Sequence, residues 1–217
     1  MAEKWNNEKY PYLYDTHVHT NQGSACGAYP GAVMARAYYQ AGYTGIIITD
    51  HFFYGNTAVS RDLPWQDWVQ AFCLGYEDAK AEGDRLGLQV LWGWESGYHG
   101  TEFLIYGLDK NWLLAHPEIK NATIEEQYKL VHEGGGIVVH AHPYREEDYI
   151  KEVRLFPEYI DAVETINACH SNPISKHHYG PEFDERALAY AKAHDFLMTA
   201  GSDMHFTELT GGGMAFA

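Results

Sequence analysis

Short apolar runs punctuate the chain at residues 13–17, 45–49, 89–94, 103–108, 137–140, 162–166 and 196–199, each beside a glycine or a polar cluster. Runs of that length bounded by breakers read as strands. Between most of them the apolar residues take helical spacing, over 32–41 stopped by Gly42, 65–85 stopped by Gly87, 124–133 stopped by Gly134, and 184–194. Thr123 with Glu126 three residues on forms a capping box that starts the third of these helices. Trp68, Phe72 and Tyr76 recur at helical spacing in the second and read as core packing. Strands alternating with helices predict parallel pairing through right-handed crossovers, and the near-continuous apolar strands at 45–49 and 137–140 predict a sheet covered on both faces. The expected architecture is α/β, a barrel.

With 217 residues the chain can bury a full core. At 46% hydrophobic and 21% charged it is neither disordered, collagenous nor coiled coil. No linker, low-complexity tract or repeat interrupts it, so a single domain over 1–217 is expected, with 214–216 either a last short strand or the start of a further segment. Thirty Asp+Glu against fifteen Lys+Arg give a formal charge of −15, a field that disfavours long nucleic acid as a partner. Carboxylates gathered around cations would soften that field. Thirteen histidines nearly equal the Lys+Arg count, and metal sites are the direct use for so many imidazoles. Cysteines at 26, 73 and 169 form no CxxC and no even framework, which suits a reducing compartment. The first twelve residues lack an apolar leader and no apolar run approaches the ~20 residues of a membrane span, so a cytoplasmic protein is expected.

The positions of the ligand-type residues carry the most information. His17 and His19 follow the first strand, Asp50 and His51 the second, Glu95 the third, His142 the fifth, Asp203 and His205 the seventh. In a parallel barrel all those strand ends open on one face. Side chains two apart on extended chain point the same way, so His17 with His19, and Asp203 with His205, can each present two groups to one pocket.

The successive segments 15–20 (DTHVHT), 48–51 (ITDH), 93–95 (GWE), 141–143 (AHP), 164–167 (ETIN) and 201–205 (GSDMH) resemble, in order and over essentially the whole chain, the motifs of the PHP family, the metal-dependent phosphoesterases of the polymerase and histidinol phosphatase type. The resemblance implies a distorted seven-stranded β/α barrel, TIM-like, carrying two or three divalent metals. It assigns His17, His19, Glu95 and Asp203 to one metal, makes Glu95 the bridge to a second held with His142, and gives His51 and His205 to a third; Asp50 joins the set as a further ligand type. Imidazole and carboxylate together suit Zn, Mn or Fe. Two positions depart from the family pattern. Where a fourth-strand histidine is common stands Leu104, with His99 or His140 the replacements at hand. The residue that usually completes the third site falls within 21–26, where Cys26, Ser24 or Asn21 could serve.

By the same resemblance Arg145 faces the substrate, and a guanidinium suits the paired oxygens of a phosphate. His170, His177 and His178 share a polar loop on the same end, while His116, His132 and His194 read as structural. Two cations around Glu95 would ionise a bridging water for in-line attack on phosphorus. A histidine such as His205 or His178 would protonate the leaving group. The expected activity is hydrolysis of a small phosphoester. Its rivals are an amidohydrolase-like hydrolase of C–N or C–O bonds and a non-catalytic, metal-stabilised binding domain.

Overall fold

Residues 6–172, 175, 178–208 and 211–217 are described by a computed structural model. Strand β1 (Tyr12–Val18) leads into helix α1 (Gly31–Ala41), then β2 (Gly45–Ile48), α2 (Trp65–Phe72), α3 (Leu74–Leu86) and β3 (Gln89–Tyr98). A tight turn gives β4 (Thr101–Tyr106), followed by α4 (Lys110–Ala115), a 3-10 turn Pro117–Asn121, α5 (Ile124–Glu133) and β5 (Ile137–Ala141). The chain ends with β6 (Ala162–Asn167), α6 (Ala168–Ser171), α7 (Pro181–Ala193), β7 (Leu197–Gly201) and β8 (Met214–Phe216). Among the described residues no helix is long and apolar enough to cross a membrane.

One sheet holds all eight strands in the order β7-β6-β5-β4-β3-β2-β1-β8. It curls until β1 and β7 nearly meet: Thr16 Oγ1 donates to the Ala200 carbonyl at 3.0 Å, and a parallel bridge joins Val18 to Met204. The architecture is therefore an α/β, TIM-like, nearly closed barrel. Two expectations change. There are eight strands, because residues 214–216 pair antiparallel with Tyr12, Leu13 and Tyr14 and cover the outer edge of β1. And the pairing is mixed, because β4 runs antiparallel to both β3 and β5. A connection of two residues between β3 and β4 is too short for a crossover and permits only a hairpin.

Local chemistry explains most boundaries. The capping box at Thr123 is formed in both directions, Thr123 Oγ1 accepting from Glu126 N at 3.3 Å and Glu126 Oε2 accepting from Thr123 N at 2.8 Å. The helix expected over 65–85 is interrupted at Cys73, where the backbone stays right-handed (φ −77°, ψ −8°). Just past the break, Gly75 lets α3 press on the site loop: a Cβ there would lie 2.1 Å from Thr20 Oγ1.

Two apolar clusters lie between sheet and helices. The larger includes Trp68, Phe72, Trp94, Phe103, Ile105 and Val138, and the other centres on Met34, Tyr38, Ile46 and Val90. A third, inside the barrel, joins Leu104, Tyr106, Val139, Ala141 and Ala162. It floors the mouth above it.

Candidate metal centre

Six strand ends deliver ligand groups to the mouth. His17, His19 and Glu95 have no exposed surface, and Asp203, His142 and His51 are nearly as enclosed. Their ligand atoms fall into four overlapping groups, each with atoms within 4.8 Å of one another: His17–Glu95–His142, His17–His19–Asp203, His19–His51–His205 and His51–Glu95–Glu102. Glu95, His17 at the end of β1 and His19 just beyond it tie the groups into one site. Individual separations match that picture, with His142 Nε2 3.0 Å from Glu95 Oε1, His19 Nε2 3.1 Å from Asp203 Oδ1, and His17 Nε2 3.5 Å from both carboxylates.

Whether these residues fit a cation is decided by what they leave unmade. His17 Nε2, His19 Nε2, His51 Nδ1 and Glu95 Oε2 are fully buried and have no hydrogen-bond partner among the described residues. His51 Nδ1 and Glu95 Oε2 stand 2.8 Å apart without the alignment of a hydrogen bond. Buried polar atoms are nearly always paired, and an unpaired one costs on the order of 1–3 kcal/mol. Four of them, all on imidazoles or carboxylates of the overlapping ligand groups, are what divalent ions would satisfy.

A second layer holds those groups in place. His17 Nδ1 lies 2.9 Å from Glu164 Oε1, while Glu164 Oε2 accepts from the His142 backbone N–H at 3.0 Å and from Asn167 Nδ2 at 3.1 Å. Behind His19, its Nδ1 meets Ser24 Oγ at 3.0 Å, and Ser24 donates to Asp50 Oδ1 at 2.7 Å. His205 Nδ1 donates to the Asp203 carbonyl at 2.7 Å, which leaves Nε2 as its ligand atom. His142 and Asp203 both take positive φ, 24° and 55°, a strained backbone for residues with a Cβ. Such outer partners orient ligating imidazoles and typically govern metal affinity by 10–100-fold. Glu164→Gln is accordingly expected to weaken zinc binding about 10- to 100-fold with the fold intact by circular dichroism. Unchanged affinity in a chelator competition titration would remove Glu164 from this role.

Charges follow the same logic. Burial opposes ionisation throughout the mouth, but at His17 it is outweighed by Glu164, Asp203 and Glu95, which raise the imidazole well above its usual range. For Asp203 burial is outweighed by Arg145 and His17, and for Glu95 by His17 and His51, so both carboxyls stay ionised. Glu102 goes the other way, pushed up to about 7 by burial and by the neighbouring Glu95.

No protein-family profile matches the sequence, and no curated protein is similar to it in sequence. Solved structures do match. A two-domain protein from Bacteroides vulgatus containing a predicted PHP-like metal-dependent phosphoesterase superposes with a TM-score of 0.67 at 17% identity, over 96% of this chain and 57% of its own. A candidate metal-dependent phosphoesterase from Bifidobacterium adolescentis gives 0.60 at 16% identity, over 92% and 90%. The fold is PHP-like. An amidohydrolase from Chromobacterium violaceum, solved with bound sulfate and no metal, shares it at 0.60 and 14% identity, over 89% and 87%. The chain thus spans a little over half the length of the Bacteroides protein.

On this PHP-like frame the remaining sequence candidates take definite places. Asp50 stands behind the mouth, its oxygens accepting from Thr20 N, Thr20 Oγ1 and Ser24 Oγ at 2.7 Å each. It belongs to none of the four ligand groups. His140 turns outward and stacks on Phe103, with ring centroids 4.9 Å apart, so it cannot stand in for the fourth-strand ligand. Leu104 points into the barrel floor. The fourth strand supplies Glu102 instead, a residue that sequence reasoning missed; its Oε2 is 3.6 Å from His142 Nε2. Alternation along β4 puts Glu102 on the same face as Leu104, and the antiparallel direction puts it nearer the mouth.

Arg145, buried, donates to Asp203 Oδ2 and leaves its Nε unpartnered among the described residues. A cavity of about 470 Å³ opens over the cluster, with Arg145, Glu102, Tyr149, His178 and Cys26 in its wall. His170 lies outside that wall and anchors α7 through Asp184, at 2.8 Å. His177 lies outside the described residues. The three thiols differ sharply in access. Cys26 faces the cavity half-buried, whereas burial pushes Cys73 and Cys169 up to about 12. A chromogenic disulfide at pH 7.5 is expected to modify one thiol per native chain and none in Cys26→Ser. Release of two or more equivalents from the native protein would contradict that assignment.

Proposed function

We propose that the chain is a metal-dependent hydrolase of small phosphoesters. The observation that carries this reading is the set of unpartnered buried imidazole and carboxylate atoms around Glu95, with a buried guanidinium beside them at the floor of an open cavity. His17, His19, Glu95 and Asp203 would hold one divalent ion, Glu95 with His142 and Glu102 a second, and His51 with His205 a third. When bound, such ions supply Lewis acidity toward phosphoryl oxygens and ionise water near neutral pH. Arg145 offers planar donors to a tetrahedral oxyanion, and sulfate in the Chromobacterium structure is of that shape and charge.

His205 has one ring nitrogen committed to a carbonyl and the other to the ligand group, which takes it out of proton transfer. His178 is better placed. It borders the cavity, and its Nδ1 lies 2.6 Å from Glu147 Oε1, so Nε2 is left to serve the leaving group. His178→Gln is expected to lower kcat about 100-fold for alkyl phosphates, whose alkoxides need a proton, and only slightly for 4-nitrophenyl phosphate, whose leaving group does not. Equal losses on both would exclude His178 as the acid.

The reading as a whole is tested by elemental analysis and a substrate panel on one sample. At least two divalent ions per chain and turnover of phosphomonoesters that stops on chelation are expected. Full activity after chelation, or turnover of amides or lactones in place of phosphoesters, would overturn it. Bound metal without any turnover would favour a binding domain.

A further inference from the structure

Beside the mouth lies a second cavity of about 400 Å³. The two share Tyr54, Gly97 and His99 in their walls and so lie side by side. Where the two adjoin, the backbones at Gly97 and Gly55 pack closely: a Cβ on Gly97 would lie 3.3 Å from Gly55 Cα. The side cavity differs in chemistry from the mouth. Phe52, Tyr54, Tyr98, Ile119 and Ala122 give it aromatic and aliphatic walls. Tyr54 closes it on one side by donating to Asn121 Oδ1 at 2.9 Å, although 61% of the tyrosine is exposed, and Tyr98 braces the back by donating to the Ala122 carbonyl at 3.0 Å. Among the described residues no carboxylate lines it, in a chain with a formal charge of −15. Its formal cation is Lys120, which has no carboxylate within 4 Å among the described residues and rests over the Phe53 ring at 5.6 Å.

A phosphoryl group seated against Arg145 would have its ester oxygen in the mouth and the rest of the molecule close to this opening. We infer that the side cavity is the leaving-group subsite and that it takes a flat aromatic ring without positive charge. This rests on the phosphoester reading above. The volume lies in the ~300–1,000 Å³ range of small-molecule sites and holds one or two rings. Stacking on tyrosine favours a ring over an alkyl chain. An ammonium would find Lys120 and no counter-ion, so amino-alcohol phosphates are disfavoured.

The test compares benzyl, ethyl and 2-aminoethyl phosphate on the metal-loaded chain, since benzyl and ethyl alkoxides are similar leaving groups. A kcat/KM at least about tenfold higher for benzyl than for ethyl phosphate is expected, because even one methylene in an apolar pocket is worth about tenfold or more. 2-Aminoethyl phosphate should be the poorest. Ala122→Phe, which fills the cavity, should erase the benzyl advantage while leaving ethyl phosphate within about twofold. Tyr54→Ala, which removes a stacking face, should lower the ratio of benzyl to ethyl turnover. Equal kcat/KM for benzyl and ethyl phosphate, or equal losses on both in the two variants, would overturn the subsite. Should no phosphoester turn over, equilibrium binding separates the two claims. Benzylphosphonate binding at least tenfold tighter than ethylphosphonate, with the difference lost in Ala122→Phe, keeps the subsite without the phosphoesterase. Equal affinities remove it.

Discussion

Glu95→Gln is expected to strip most of the divalent metal from the protein and to lower kcat/KM for phosphomonoesters at least about a thousandfold. Removal of a single preorganised electrostatic group from an active site already costs about 100- to 1,000-fold. Glu95 does more, because its two oxygens serve two of the four ligand groups and approach His17, His19, His51 and His142 together. Glutamine keeps the shape but loses the charge and turns one oxygen into a donor facing imidazoles. The metal-free chain should report the loss too, since His17 and His51 owe their raised affinity for protons in part to Glu95. Metal content by elemental analysis and kinetics on one preparation check the prediction. A variant that retains both would show that the cluster around β3 is not the working centre.

The largest expected stability effect lies at Trp68, away from the ligands. Trp68 is fully buried, stacked on Trp65 at 5.5 Å and on Phe72 at 4.7 Å, with Phe52 edge-on at 5.3 Å. Truncation of a buried tryptophan to alanine costs about 3–5 kcal/mol, and for a chain of this size each kcal/mol lowers Tm by roughly 2–4 °C. Trp68→Ala should therefore melt about 10 °C lower. Trp68→Phe should cost less than about 1.5 kcal/mol, since it keeps most of the volume and removes an indole N–H that has no partner among the described residues. Denaturant titrations with unchanged m would confirm the comparison. A Trp68→Ala midpoint within 2 °C of the parent would show that this aromatic stack is not a principal source of stability. Phe52 follows His51 directly, so the alanine variant is also expected to loosen the loop that presents that imidazole.

Much of the fold was legible because its signals are local. Glycine stops, the capping box and short apolar runs mark where elements begin and end, and the structure places seven strands at the expected runs. Helices α4 and α6 carry too few residues for periodicity to show. The direction of β4 was a different matter. Nothing in 101–106 announces whether the strand pairs parallel or antiparallel; only the brevity of the turn before it does. The family resemblance directs attention to Leu104 in the middle of the strand, whereas the carboxylate that reaches the mouth is Glu102 at its beginning. Supporting residues were harder still. Thr20 looks like an ordinary loop residue and Ser24 reads as a candidate third-site ligand, and only their contacts show that they hold Asp50 and so steady His19. His140 illustrates the reverse error, since two residues before His142 in a strand-end motif it resembles a ligand, yet outward packing on Phe103 disposes of it.

The reversal of β4 gives the rim one wall that is a hairpin instead of a crossover. The bend at His99 and Gly100, where both residues have positive φ, borders the open space while Glu95 and Glu102 are clamped in the ladder on either side. Grafting a longer bend there would reshape the entrance while the two carboxylates keep their register, which makes this the position where a designer could change what enters without rebuilding what reacts.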